Sequence, residues 1–212
     1  MRPESHLSLA PADVRDHPLA RHGGAELEAR RVFALVSAMG LPRYWPLVIR
    51  AALGGFTRAI ASCTGSAAAR LDEGVRGAQD ALSRECDALI ERMLPDASLV
   101  ALLLDHDDLH AVSVGPGRVY VHRRGAPHRL TPRDDPAEGL LRGTPARCSH
   151  PIEPDDVILA GSVSAFSVRA IAKLASVLEA DARTPPSVLA SLLTEPAGQA
   201  GVGAVAIAMR IR

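Results

Sequence analysis

The chain has 212 residues, of which 47% are apolar, enough to bury one sizeable core and consistent with a single domain. Its 24 Lys and Arg balance 24 Asp and Glu, which excludes a global positive field that would draw it onto nucleic acid or an anionic membrane. The longest apolar run, Leu99 to Leu104, is far below a membrane span, and the opening Met1-Arg-Pro-Glu lacks a signal-peptide hydrophobic stretch, so a cytoplasmic chain with a protein partner is expected.

Residues 1–12 contain proline and show no periodicity, and are expected to be a flexible terminus ahead of one domain over 13–212. Arg31-Val-Phe-Ala-Leu-Val36 is a short apolar run that predicts a buried strand. Trp45 to Cys63 predicts a helix weakened or bent at Gly54-Gly55. Asp72 to Met93 predicts another, with Val75, Ala78, Leu82, Leu89, Ile90 and Met93 on one stripe.

Ser98 to Leu104, the turn Asp105-His-Asp-Asp108 and Leu109 to Val114 predict a hairpin. Gly115-Pro-Gly117 then leads into Arg118 to His122 and a short strand at His128 to Leu130, giving a β-meander. Thr131 to Pro151, rich in Pro, Gly and charge, is expected to be a long surface loop with at most a short helix at Ala137 to Leu141. Asp156 to Ala160 predicts a strand, Phe166 to Glu179 and Pro186 to Leu193 predict helices, and Ala204 to Ile211 alternates as a terminal strand.

The run Leu99 to Leu104 is apolar at consecutive positions, so both faces of its strand must be covered although its neighbours are joined by hairpins. A sheet stacked on a second sheet, with helices outside both, meets that requirement. The expected fold class is α+β: a four-layer α-β-β-α sandwich of two mainly antiparallel sheets. Cys63, Cys86 and Cys148 form no CxxC pair and are expected to be unpaired thiols.

Val114-Gly-Pro-Gly-Arg-Val-Tyr-Val-His-Arg-Arg-Gly125, followed by Leu130-Thr131, resembles the Val-Gly-Asp-Ser-Arg-x-Tyr segment of the PPM (type 2C, metal-dependent) serine/threonine protein phosphatases, with that family's later Arg-x-Gly and Leu-Thr. Four further frames follow in the family's order. Val14-Arg-Asp-His17 is similar to the lead into Asn-Glu-Asp, and Phe33 to Gly40 to Phe-Ala-Val-x-Asp-Gly-Met-Gly. Ile152 to Leu159 resembles the strand leading to Ser-Asp-Gly, and Val202-Gly203 stand where the family has Asp-Asn.

The resemblance implies hydrolysis of phosphoserine and phosphothreonine by water bridging two Mn or Mg ions, hard cations that need clustered carboxylates. At the corresponding positions this chain has Ala20, Ser37, Ala38, Val163 and Val202, of which only Ser37 offers an oxygen. These are the expected vestigial metal-site positions; no catalytic or metal-ligating residue and no cofactor is expected, and the valines are expected to fill a dry pocket.

Asp105, Asp107, Asp108, His106 and His110 cluster in sequence, but Asp is favoured at such turns for backbone reasons. Asp155-Asp156 and Asp134-Asp135 are likewise expected turn residues. Ser62, Thr64 or Ser66 with His22 or His128 lack a nucleophile-elbow context. The reading is a catalytically inactive phosphatase homologue acting as a binding or regulatory module in phosphorylation-linked signalling. Its alternatives are a phosphatase with relocated ligands and a structural subunit of an assembly. Arg133, Arg142, Arg147 and His150, in the long loop, are the expected contacts for a phosphorylated or acidic partner segment.

Overall fold

In the computed structural model, which describes residues 3–89, 94–134 and 136–212, the chain opens with β1 (Pro3–Val14), β2 (His17–Leu19), β3 (His22–Leu27) and β4 (Val32–Met39). Two helices follow, α1 (Trp45–Ser62) and α2 (Ala67–Asp87), then β5 (Asp96–Asp105), β6 (Asp108–Val114), β7 (Arg118–Arg123), β8 (Ala126–Arg129), β9 (Ala146–Pro151) and β10 (Val157–Gly161). The chain closes with α3 (Val168–Ala180), α4 (Pro186–Gln199) and β11 (Val202–Ile211).

The strands form a six-stranded sheet, β2-β1-β11-β10-β7-β8, and a five-stranded sheet, β3-β4-β5-β6-β9. Every described pairing is antiparallel. Three apolar layers separate the four structural ones. Val48, Phe56, Ile60 and Leu82 of α1 and α2 pack on β4 and β5. Between the sheets lie Phe33, Leu102, Leu109, Val121, Ile158 and Ile207. On the far side, Leu174, Leu189 and Leu193 of α3 and α4 meet Leu159, Ala206 and Ala208. The four-layer sandwich expected from the two-faced run of β5 is therefore the observed architecture, for the anticipated reason: Leu99 and Leu103 face helices while Leu102 and Leu104 face the other sheet.

Several local expectations are corrected. Residues 3–12 are not a flexible terminus: β1 pairs with β11 from Pro3↔Ile211 to Ala12↔Val202, so pairing rather than hydrophobicity orders it. The run from β5 to β8 is not a single meander. Gly115, at φ +76°, turns the chain out of one sheet and into the other, with β6 beside β9 and β7 beside β10. Two hairpins stand as expected, β5–β6 with its two-residue turn closed by Asp105↔Asp108 and β7–β8 paired from Tyr120↔Arg129 to Arg123↔Ala126.

Gly54-Gly55 do not weaken α1. Gly55 faces Gly77 of α2, where a Cβ on Gly77 would come within 2.6 Å of the Gly55 carbonyl oxygen; the glycines let two helix backbones touch. The second helix starts at Ala67, capped by Ser66 Oγ accepting from Ala69 N at 3.3 Å, and ends at Asp87 rather than Met93; Ile90 and Met93 of its expected stripe lie outside the described residues.

Thr131 to Pro151 is not one loop. Its last part is β9, paired along β6 from Ser113↔Ala146 to Asp108↔Pro151. The expected short helix at Ala137 to Leu141 is a set of turns, held by Leu140 N donating to Ala97 O at 2.7 Å and Leu141 N to Asp96 Oδ1 at 3.2 Å. Leu140 itself is fully buried, and burial raises the Asp96 carboxyl above its ordinary value.

Candidate functional site

The five positions expected to be vestigial lie at or beside strand ends. Ser37 and Ala38 end β4, where Ser37 lies opposite His22, the first residue of β3. Ala20 sits in the connection just before, and Ala38 N donates to Arg21 O at 2.9 Å. Val202 begins β11 opposite Ala12. Val163 follows β10, whose last residue, Gly161, pairs with Ala206 of β11. All five thus lie at or beside the ends of β2, β4, β10 and β11.

Their environments differ. Ala38 is fully buried, Ser37 and Val163 are half-buried, and Ala20 is exposed. Val202 is 44% exposed, so the expectation that both valines fill a dry cavity is corrected: Val202 faces solvent at the sheet end.

A polar pair bridges β3 and β4 at this end. His22 Nδ1 and Ser37 Oγ are 2.9 Å apart. His22 is 7% exposed, and its pKa is lowered to about 4, first by burial and then by the Arg21 charge, with the Gly203 backbone acting the other way. A neutral imidazole follows, joined to the Ser37 hydroxyl through Nδ1 by a hydrogen bond whose donor is set by the tautomer. Its Nε2 is buried without a hydrogen-bond partner of good geometry. Beside it, Arg21 lies over the Trp45 ring at 5.5 Å, and Trp45 Nε1 donates to Gly40 O at 3.1 Å. Across the site, Ser162 and Ser164 hydroxyls are 2.9 Å apart, and Val205 N donates to Ser162 Oγ at 3.3 Å.

The donor set is therefore hydroxyls and one neutral imidazole beside an arginine. Two divalent ions close together repel strongly, and only clustered anionic ligands offset that repulsion. These residues do not fit such a pair. Among the described residues, no three His, Cys, Asp or Glu side chains come together as a metal-ligand group, the acidic turn Asp105 to Asp108 included.

His22 escaped the sequence reading as a member of this centre, because it was weighed only against Ser62, Thr64 and Ser66. Its true partner is fixed by the β3–β4 register. Asp156 is also more than a turn residue. It is 1% exposed, and accepts from Arg123 twice, Nε at 2.8 Å and Nη2 at 2.6 Å; its neighbour Asp155, at φ 71°, makes the turn.

The expected recognition residues are only partly brought together. Arg133 and Arg147 rim one cavity of about 300 Å³. Arg147 leans the other way as well, its Nε 2.6 Å from Asp72 Oδ1 on α2. Arg142 is exposed on the turn. His150, an even position of β9 like Cys148, stacks on His128 of β8 at 5.8 Å, away from Arg147.

No protein-family profile matches the sequence, and no curated protein matches it. Solved structures do match, over the whole chain. The serine/threonine phosphatase PstP/Ppp of Mycobacterium tuberculosis superposes with a TM-score of 0.80 at 16% identity, covering 99% of each chain. PppA of Pseudomonas aeruginosa, described as a key regulatory component of T6SS, gives 0.80 at 16% identity over 99% of this chain and 98% of its own. The chain has the fold of the PPM serine/threonine phosphatases. The catalytic domain of PstP in complex with two manganese ions gives 0.81 at 15% identity over all of both chains.

That last structure corrects one expectation. A fold shared from end to end holds two manganese ions in a relative, so "no cofactor" does not stand as a property of this chain; Ala20, Ser37, Ala38, Val163 and Val202 describe the donors at those positions alone. Among the described residues no helix is long and apolar enough to cross a membrane.

Proposed function

We propose that this PPM-fold chain is a catalytically inactive homologue that acts as a binding or regulatory module. One observation supports the proposal: around Ser37, at a position that resembles the family's metal-ligand frame, the side chains are the Ser37–His22 pair, 2.9 Å apart, with His22 held neutral. Water bridging two metal ions cannot be activated by that donor set, whereas the surrounding sandwich keeps its three packed layers.

A partner surface fits the connection between β8 and β9 better than the expected four-residue cluster. Arg133 and Arg147 flank one cavity, and two guanidinium groups at one rim suit an acidic or phosphorylated segment. The test is capture from the native organism with the full chain and with residues 132–138 exchanged for a Gly-Ser linker, a segment ending before the buried Leu140 anchor. With melting temperature retained, loss of one stoichiometric partner is expected. An unchanged partner list would remove the connection from the proposal. The second reading, a phosphatase with relocated ligands, draws on the phosphatase neighbours and is decided by turnover.

A further inference from the structure

Arg210 and His122 stand on the helix-facing side of the six-stranded sheet, both opposite Val157 in register. They lie at the end of β11 away from Val202, roughly 26 Å along the strand at about 3.3 Å per residue. A cavity of about 630 Å³ opens there under the end of α3, lined among others by His122, Arg124, Arg183 and Arg210.

Arg210 is 5% exposed. Its Nη2 donates to Thr184 O at 2.9 Å, while Nε is buried with no hydrogen-bond partner. Among the described residues no carboxylate pairs with it. Glu4, opposite Arg210 in register, gives its carboxylate to Arg212 at 2.6 Å. Glu153 and Asp156, on the same cavity wall, are engaged by Arg123 and Arg124. Asp155 and Glu179 sit at the exposed mouth. The charge also reaches His122, whose pKa is lowered first by burial and then by Arg210.

A buried guanidinium with no counter-ion is costly in a folded chain unless something anionic joins it. Its planar fork suits an oxyanion with two oxygens side by side, and Arg183 is placed to close on the same ligand from the mouth. We infer that this cavity is a binding site for a small oxyanion, the phosphate or carboxylate group of a metabolite-sized ligand, independent of the centre around Ser37. The volume is that of a small-molecule pocket rather than a single ion.

Inorganic phosphate and citrate, each titrated into the full chain at constant ionic strength, test it by calorimetry and thermal unfolding. A saturable rise in melting temperature with at least one of them is expected, beyond that of chloride at equal ionic strength. A response to phosphate alone assigns a phosphoryl ligand, and to citrate alone a carboxylate. Arg183→Ala, at an exposed position, is expected to weaken binding about tenfold, the loss of one charge-assisted hydrogen bond. Arg210→Met is expected to abolish binding and, in anion-free buffer, to melt no lower than the parent, because an uncompensated charge has gone. A shift no larger than chloride gives, or one retained in Arg210→Met, would overturn the site. Should Arg210→Met fail to fold, undiminished affinity in Arg183→Ala would overturn it equally.

Discussion

His22 shows how a buried neutral group makes the centre sensitive to acid. An unfolded imidazole titrates near 6.5, whereas this one is held at about 4. Between those values the unfolded chain binds the extra proton, so stability is complete above about pH 6.5 and falls as the pH drops toward 4. The full loss from this group is on the order of 3 kcal/mol. His122 and His150 are held down in the same direction by burial and add to the slope. Urea unfolding at pH 7 and pH 4.5 measures it. His22→Gln is expected to keep part of the slope and lose the His22 share; an identical slope would mean that His22 titrates normally. At this scale the frames of apolar and glycine residues around Ser37 and Ala38 were legible, and they fall on the strand β4 that the sequence predicts. It did not show His22, since His22-Gly-Gly-Ala-Glu-Leu27 has no apolar alternation, and Gly23 is seated by Ile49 of α1, a contact distant in sequence.

At the scale of elements, the α1–α2 crossing inverts an ordinary propensity. Glycine within a helix is usually worse than alanine by about 1 kcal/mol. Gly54→Ala meets only the flexible Arg58 guanidinium, at 3.3 Å, and is expected to raise stability by up to about 1 kcal/mol. Gly55→Ala would push a methyl into the Gly77 carbonyl and is expected to cost about 1–3 kcal/mol. Denaturant midpoints of the two variants check this, and equal shifts of the same sign would contradict the close crossing. Periodicity located α1 but assigned its glycines a bend, because a sequence window does not contain the partner helix. The same limit explains β1 and β9. Neither carries a full apolar face: β1 has Leu9 half exposed and β9 reads Ala-Arg-Cys-Ser-His-Pro, and both are strands because a neighbour supplies the ladder. The strands that were legible are β4, β5, β10 and β11, each with a long buried apolar run, and β6 and β7, which alternate.

For the molecule as a whole, the PPM phosphatase fold is kept, and the proposal is that its chemistry is not. The buried Asp156–Arg123 fork, the Gly115 crossover and the three apolar layers hold the sandwich together. Asp156→Asn removes one member of a largely desolvated pair and is expected to cost about 3–5 kcal/mol, read as a drop in unfolding free energy; a loss below about 1 kcal/mol would place the pair among ordinary surface contacts. By contrast, the end that carries Ala20, Ser37, Ala38, Val163 and Val202 brings together no group of three His, Cys, Asp or Glu side chains among the described residues. Hydrolysis of a phosphothreonine peptide with Mn²⁺ present, by the full chain beside the catalytic domain of PstP, therefore bears most directly on the account. No release of phosphate above the buffer rate is predicted for this chain, and Mn²⁺-dependent turnover abolished by Ser37→Ala would contradict it.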